Sequence, residues 1–475
     1  MSAGVGLQLC NLLGRMTKVV IPNSTVLLLR LITAATAVSD GYDLGVVNGV
    51  SMILSSRYEP AVISLFVSVL PACVGVGAIG GGFAADKFGR KPTLIFSYFL
   101  LIAGAIMMGI PAPLEVTVTG RAIVGFGIGI GGVVGTVYMA EVAPTKHRGS
   151  LVGQEALFLS CGLLLGYLSN YLLMSVEHNY NVMLGMGAVL PFFCLVALLT
   201  IGRSLPESPH WERMEAEDSA ELLVGDDEPS SSSAMSPVDN IWETMKEFFN
   251  TRNSKLALMV GLLQPLCGVG PILYFSDLTF STVETAGRAD GTVVESAPMI
   301  AMSSIFIGLT KVAVLMVSTL ILMDSVGRRT MLLMSSVLLV LALSGVTAVL
   351  HWLPTEPKLL LGGFCCAVGA YALGWNCVPT VYPSEVLPTR VRVFGIAFTT
   401  VLGRIVSVGN AFLYPLVGLK NPTVWFLVFS CINVVSLGLV FTFMKETLNK
   451  PLVVKRTKDP EAESEREELV DHVDT

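Results

Sequence analysis

Among the ionisable side chains inside stretches otherwise built from apolar residues are Asp40, Asp43, Arg121, Glu155, Lys311 and Arg404. In a lipid-embedded helix such groups are costly to keep and mark ion, proton or solute paths. Arg30 is close enough to the end of its stretch to snorkel, whereas Lys311 lies fourteen residues into its own. A locally paired, purely structural charge is the alternative for each. Bond-making chemistry has little support. No nucleophile–base constellation or metal cluster forms around the five histidines, so the chain does not read as an enzyme. The run Gly125, Gly127, Gly129, Gly131, Gly132, Gly135 lacks the preceding strand of a dinucleotide site and reads as close helix packing. Nine cysteines, mostly in apolar runs, read as small buried residues.

The elements that must position these groups follow from composition. Hydrophobic residues make up 53% and charged residues 14% of 475, with a mean hydropathy of +0.70. Ordinary soluble domains carry about 25% charge. Soluble, disordered, collagenous and nucleic-acid-binding classes are excluded. At roughly 20 apolar residues per crossing, twelve spans are predicted near 25–52, 60–83, 92–112, 115–140, 150–173, 182–203, 256–280, 297–323, 330–352, 358–383, 392–417 and 422–444. The net charge of -6 hides a segregation. Residues 205–254 carry net -9 and residues 455–475 net -4, so the rest is basic. Residues 214–240, with Ser230–Ser233, read as an acidic disordered linker. Residues 241–252 read as a short interfacial helix.

Lysine and arginine placement orients the bundle. The side holding both termini has 22 of them. The opposite loops have four: Arg57, Arg288, Lys358 and Lys420. Both termini are therefore expected in the cytosol, and Asn23 of the Asn-Ser-Thr site should carry no glycan.

Two patterns occur twice. Asp86-Lys-Phe-Gly89-Arg90 follows the second predicted span and Asp324-Ser-Val-Gly327-Arg328 the eighth. Glu141-Val-Ala-Pro144 with Arg148 follows the fourth, and Glu385-Val-Leu-Pro388 with Arg392 the tenth. This is a six-plus-six duplication, the architecture of transporters whose halves rock about a central site.

These motifs resemble those of the major facilitator superfamily, and the chain resembles its sugar porter branch over about residues 25–450. Gly120-Arg121, Pro206-Glu-Ser-Pro-His-Trp211 and Gln264 to Phe275 add to that likeness. The resemblance implies an all-α membrane protein of twelve helices in two pseudo-symmetric halves. Residues 25–203 and 256–444 would be the halves, 1–24 and 445–475 cytosolic ends, and 204–255 the cytosolic linker. It also implies that Asp86, Arg90, Glu141, Arg148, Asp324, Arg328, Glu385 and Arg392 form a gating network of salt bridges.

Gly41-Tyr42-Asp43-Leu-Gly45 resembles a sugar porter motif whose Asp, in proton-coupled members, pairs with the Arg opening helix four, here Arg121. A carboxylate whose partner moves during alternation can take up and release a proton. A permanent structural pair is the alternative. Lys311, Arg404 and Gly166-Tyr-Leu-Ser-Asn170 resemble plant polyol and monosaccharide transporters. A polyhydroxyl solute calls for amides and an aromatic platform. Gln264, Tyr274, Trp375, Asn376 and Thr380 are candidates, joined by Gln154, Glu155, Asp40, Lys311 and Arg404. Pro265, Gly270, Ala156 and Thr380 depart from the usual hexose-binding residues, which leaves a linear polyol, an inositol, a pentose or a charged sugar derivative open.

The function implied is proton symport of a sugar or polyol by alternating access. It is driven by the proton gradient without a cofactor, in a lipid bilayer, as a monomer, with no nucleic-acid partner. A plasma-membrane location is expected. A passive uniporter and a non-transporting nutrient sensor are the alternatives.

Overall fold

The computed structural model describes residues 24–142, 148–176, 178–200, 207, 245–287, 297–353, 356–387 and 389–447. The acidic linker, the tail beyond 447 and Asn23 lie outside these residues. So do the side chains of Arg30, Glu141, Arg148, Asp324 and Arg392.

The described chain is helical. The first half holds α1 (Ser24–Ser55), α2 (Pro60–Phe88), α3 (Arg90–Gly109), α4 (Leu114–Val142), α5 (Arg148–Leu173), α6 (Asn179–Gly185) and α7 (Val189–Thr200). A 3₁₀ turn, Met186–Ala188, joins the last two. The second half holds α8 (Arg252–Leu263), α9 (Val269–Gly287), α10 (Ala297–Val317), α11 (Arg328–Trp352), α12 (Pro357–Leu373), α13 (Val378–Val386), α14 (Thr389–Leu413) and α15 (Pro422–Phe443). Among the described residues, ten segments are long and apolar enough to cross a bilayer. The acid-bearing α1 and the broken pair α8/α9 complete a twelve-span order.

Besides the sixth span, broken by the Met186–Ala188 turn, two predicted spans are interrupted. The seventh breaks where Pro265 opens a 3₁₀ turn and Gly268 takes φ 79°, a left-handed conformation that glycine tolerates. The carbonyls freed there are not left bare. Pro265 O accepts Asn410 Nδ2–H at 2.8 Å and Cys267 O accepts Asn433 Nδ2–H at 3.1 Å. The tenth breaks between α12 and α13, at Gly374 to Cys377, just before Pro379.

Within the first half α1 packs on α5, and α4 on both α2 and α3. Within the second, α11 packs on α15 and α12. The halves meet through α2 with α14, α5 with α10, and α1 with α9. These pairings map onto one another when the halves exchange, as a duplicated chain requires. The α1–α5 seam depends on glycine: a Cβ at Gly41 would collide with the Leu159 carbonyl.

The expected interfacial helix at 241–252 is helical over 245–250. Its Phe248 is fully buried against Phe394 and Phe398 of α14, with Leu387 and Val391 alongside. Phe248 anchors this segment on protein, while Phe249 beside it is exposed.

Candidate functional site

The centre of the bundle gathers charges from both halves. Asp43 of α1 and Arg121 of α4 pair at 3.1 Å (Oδ2–Nη2), both nearly inaccessible to solvent. Arg121 Nη1 stands 3.5 Å from Asp43 Oδ1. The guanidinium is also fixed from α2: its Nε–H donates to Phe66 O at 2.8 Å, and its carbon lies 4.5 Å from the Phe66 ring centroid. Three residues earlier on α1, Asp40 accepts a hydrogen bond from Arg404 Nη2 of α14 at 3.0 Å. That ion pair crosses between the halves.

Glu155 of α5 joins this cluster. Its Oε2 accepts Thr136 Oγ1–H at 3.4 Å, and it lies within electrostatic reach of Asp40 and Arg404. Its side chain stays open to solvent while Asp43 and Arg121 do not. Lys311 of α10 is 1% exposed and feels Asp40 and Cys377. Tyr274 of α9 is buried beside the same charges. The structure therefore brings Asp40, Asp43, Arg121, Glu155, Tyr274, Lys311 and Arg404 together.

Other candidates are placed differently. Trp375 is fully buried, and its indole N–H donates to Ser336 Oγ of α11 at 2.9 Å. That satisfied contact makes it a packing residue at the α11 interface in this conformation. Thr380 donates to Cys377 O at 2.7 Å. Gln264 sits half-buried at the break in the seventh span and interacts with Tyr371. Gln154 is half-buried beside Glu155. Asn376, in the break between α12 and α13, has a buried Nδ2 without a hydrogen-bond partner. An orphaned buried donor is a ready contact for a solute hydroxyl. Gly270 faces open space where a larger side chain would fit.

At the end of the bundle nearest the termini, the repeated motifs take the same shape twice. Gly89 (φ 93°) closes α2 and Gly327 (φ 88°) stands before α11. Arg90 Nη1 donates to Ala85 O at 3.1 Å, and Arg328 Nη1 to Met323 O at 2.8 Å. The carboxylate of Glu207 accepts the backbone N–H of Arg90 at 2.8 Å. The carboxylate of Glu446 accepts that of Arg328 at 2.8 Å. Each acid thus caps a helix N-terminus, where the helix dipole favours negative charge. Arg90 pairs with Asp86 at 3.2 Å, and Arg328 with Glu385 at 2.8 Å. Thr447 Oγ1 donates to the free oxygen of Glu385 at 2.6 Å.

Residues 29–455 match the family described as sugar (and other) transporter. The chain belongs to that family, in the major facilitator superfamily. Among its relatives, the probable polyol transporter 4 of Arabidopsis thaliana is 28% identical over 447 residues, spanning 87% of this chain and 81% of the relative. The glucose transporter GlcP of Staphylococcus epidermidis is 26% identical, spanning 87% and 92%. The fold matches the xylose transporter XylE of E. coli in a partially occluded inward-open conformation, at TM-score 0.72 and 18% identity, covering 90% of this chain and all of that one. It also matches the proton:xylose symporter XylE bound to 6-bromo-6-deoxy-D-glucose, at TM-score 0.70 and 19% identity over 90% and 98%. This family member is an integral multi-pass membrane protein and a transporter, not an enzyme.

Sequence reasoning assigned no role to Glu207, Glu446 or Asp277. Glu207 stood within a motif whose capping use only the fold displays. Asp277 carried a legible signal, being an acid inside the predicted span 256–280.

Proposed function

We propose that this family member moves a sugar or polyol together with a proton by alternating access, with both termini in the cytosol. The observation carrying the coupling is the Asp43–Arg121 pair, sealed inside the first half and three residues from the inter-half pair Asp40–Arg404. Relative movement of the halves that breaks Asp40–Arg404 changes the field at Asp43. That exposes its carboxylate to proton exchange on one side at a time. The names of the polyol and glucose relatives, and XylE's being a proton:xylose symporter, support the same reading.

Solute contacts in this reading come from Gln264, Tyr274, Asn376, Thr380 and Gln154, with Lys311, Arg404, Glu155 and Asp40 at one side. Asn376 Nδ2 offers a buried, unmet hydrogen bond. Trp375 would join only after leaving Ser336. The gating role extends to Glu141, Arg148, Asp324 and Arg392 by their repeat positions beside Asp86, Arg90, Arg328 and Glu385.

A passive uniporter is the second reading. It is favoured by one observation: Phe66 holds Arg121 by both its carbonyl and its ring, which makes a static pair. Proteoliposome uptake of labelled hexoses, pentoses, polyols and inositols, with and without an imposed pH gradient, separates the two. Symport gives accumulation above equilibrium only with the gradient. Equal plateaus in both conditions would leave uniport.

A further inference from the structure

Besides Asp40 and Asp43, a further buried acid lies nearer the end of the bundle opposite the termini, away from the Asp43–Arg121 pair. Asp277 of α9 is 1% exposed, and its neighbours Asn48, Ser276 and Ser304 are as deeply buried. Asn48 belongs to α1, Ser276 to α9 and Ser304 to α10, so the cluster spans the junction of the halves. Asn48 Nδ2 donates to Ser276 Oγ at 3.0 Å and to Ser304 Oγ at 2.9 Å. Its Oδ1 accepts the backbone N–H of Asp277 at 3.1 Å. Ser304 Oγ contacts Asp277 Oδ1 directly, and the two serine hydroxyls are 2.9 Å apart.

Among the described residues no basic side chain is paired with Asp277. From α5, Tyr167 faces it, with its hydroxyl donating to Leu273 O at 2.9 Å. Two and three residues further along α9, Thr279 meets the Tyr414 hydroxyl at 2.7 Å and Phe280 packs on Phe364 of α12. These neighbours are neutral. The central charges Asp40, Asp43, Arg121 and Arg404 act on Tyr274, one turn earlier on α9. An ionised Asp277 would be a lone buried charge among hydroxyls, which is costly.

The hydrogen-bond order suits a proton that comes and goes. With Asp277 ionised, Ser304 donates to it and Ser276 donates to Ser304. With Asp277 protonated, the acid donates to Ser304, which turns its hydroxyl to Ser276. Asn48 donates to both serines either way. Both proton states therefore keep the inter-half contacts, but only the neutral acid avoids a buried charge. Parting α1 from α9 and α10 would admit water and favour the carboxylate.

We propose that Asp277, with Ser304, Ser276 and Asn48, is a second proton-binding site, and that its occupancy latches the halves closed at the end opposite the termini. It goes beyond the transport reading and stands whether or not Asp43 couples a proton to solute.

The test uses full-length protein in nanodiscs, where both faces share one pH. Genetically encoded keto residues at Ser56 and Met299, both exposed near that end, carry spin labels and leave the native cysteines in place. Pulsed dipolar spectroscopy reads the short-distance (closed) and long-distance (open) populations. In the wild type the open-to-closed ratio should rise with pH, by up to about tenfold per unit for one linked proton. Asp277→Asn should stay closed at every pH, and in an Asp43→Asn background, which removes any contribution of the coupling acid, a pH response should remain that adding Asp277→Asn abolishes. Ser304→Ala keeps the acid and should move the midpoint by about one pH unit, the equivalent of one lost hydrogen bond. A wild-type response in Asp277→Asn, or a flat wild-type profile, would overturn the site. So would a response abolished by Asp43→Asn but kept in Asp277→Asn.

Discussion

The end of the bundle nearest the termini is built twice, and the charged centre is built once. At the first, Gly89, Arg90 and Glu207 superpose in role on Gly327, Arg328 and Glu446, down to the 2.8 Å contact that each carboxylate makes with a helix N-terminus. At the centre, Asp43–Arg121 lies within the first half, Asp40–Arg404 bridges the halves and Lys311 belongs to the second. Duplication copied what any rocking half needs: a rigid, capped elbow. It did not copy the charges: Asp43–Arg121 has no ion-paired counterpart among the described residues of the second half.

The largest expected effect falls on the unrepeated centre. Asp43→Asn should reduce gradient-driven accumulation in proteoliposomes to the equilibrium level while leaving counterflow exchange within about twofold. Full accumulation in that variant would demote the pair to scaffolding, on a par with the elbows. Transport should also weaken as the pH on the proton-donating side rises, since fewer protons are available to load. Asp43→Asn should flatten that profile.

The next effect separates the inter-half pair from its surroundings. Arg404→Leu leaves Asp40 buried and unpaired and should lower stability in detergent by about 2–3 kcal/mol. Adding Asp40→Asn should recover most of that loss. Strict additivity of the two substitutions would show that the ion pair is not coupled energetically. For the duplicated elbows the expectation is equality. Glu207→Gln and Glu446→Gln should each cost about 1 kcal/mol, the usual size of a lost helix cap. A several-fold difference between them would break the pseudo-symmetry. The smallest change probes the departures from a hexose site. Gly270→Asn adds an amide into open space and should improve hexose uptake relative to polyol by about fivefold, equivalent to roughly 1 kcal/mol. No change in the hexose-to-polyol ratio would place position 270 outside the solute path.

Legibility followed the solvent. A bilayer demands long apolar runs, so the spans, the duplication and the charges standing out against them were all readable along the chain. The positions of Asp43 and Arg121 were readable through motif resemblance, and the structure pairs them. The motif position of Trp375 was readable, but its indole partner, Ser336 of α11, was not. The seventh span was expected unbroken through Pro265; the structure breaks it there, and Asn410 and Asn433 satisfy the opened backbone.

By itself, then, the sequence determined membership of a duplicated helical transporter family and the identity of the costly charges, because lipid makes each buried charge conspicuous. Apart from Asp43–Arg121, only the tertiary structure decided who partners whom. Asp40 finds Arg404 across 364 residues, Glu446 caps a helix that starts 118 residues before it, and Asn48 reaches Ser304 across 256. Such contacts depend on helix register and on the meeting of two halves, and no local pattern along the chain encodes either.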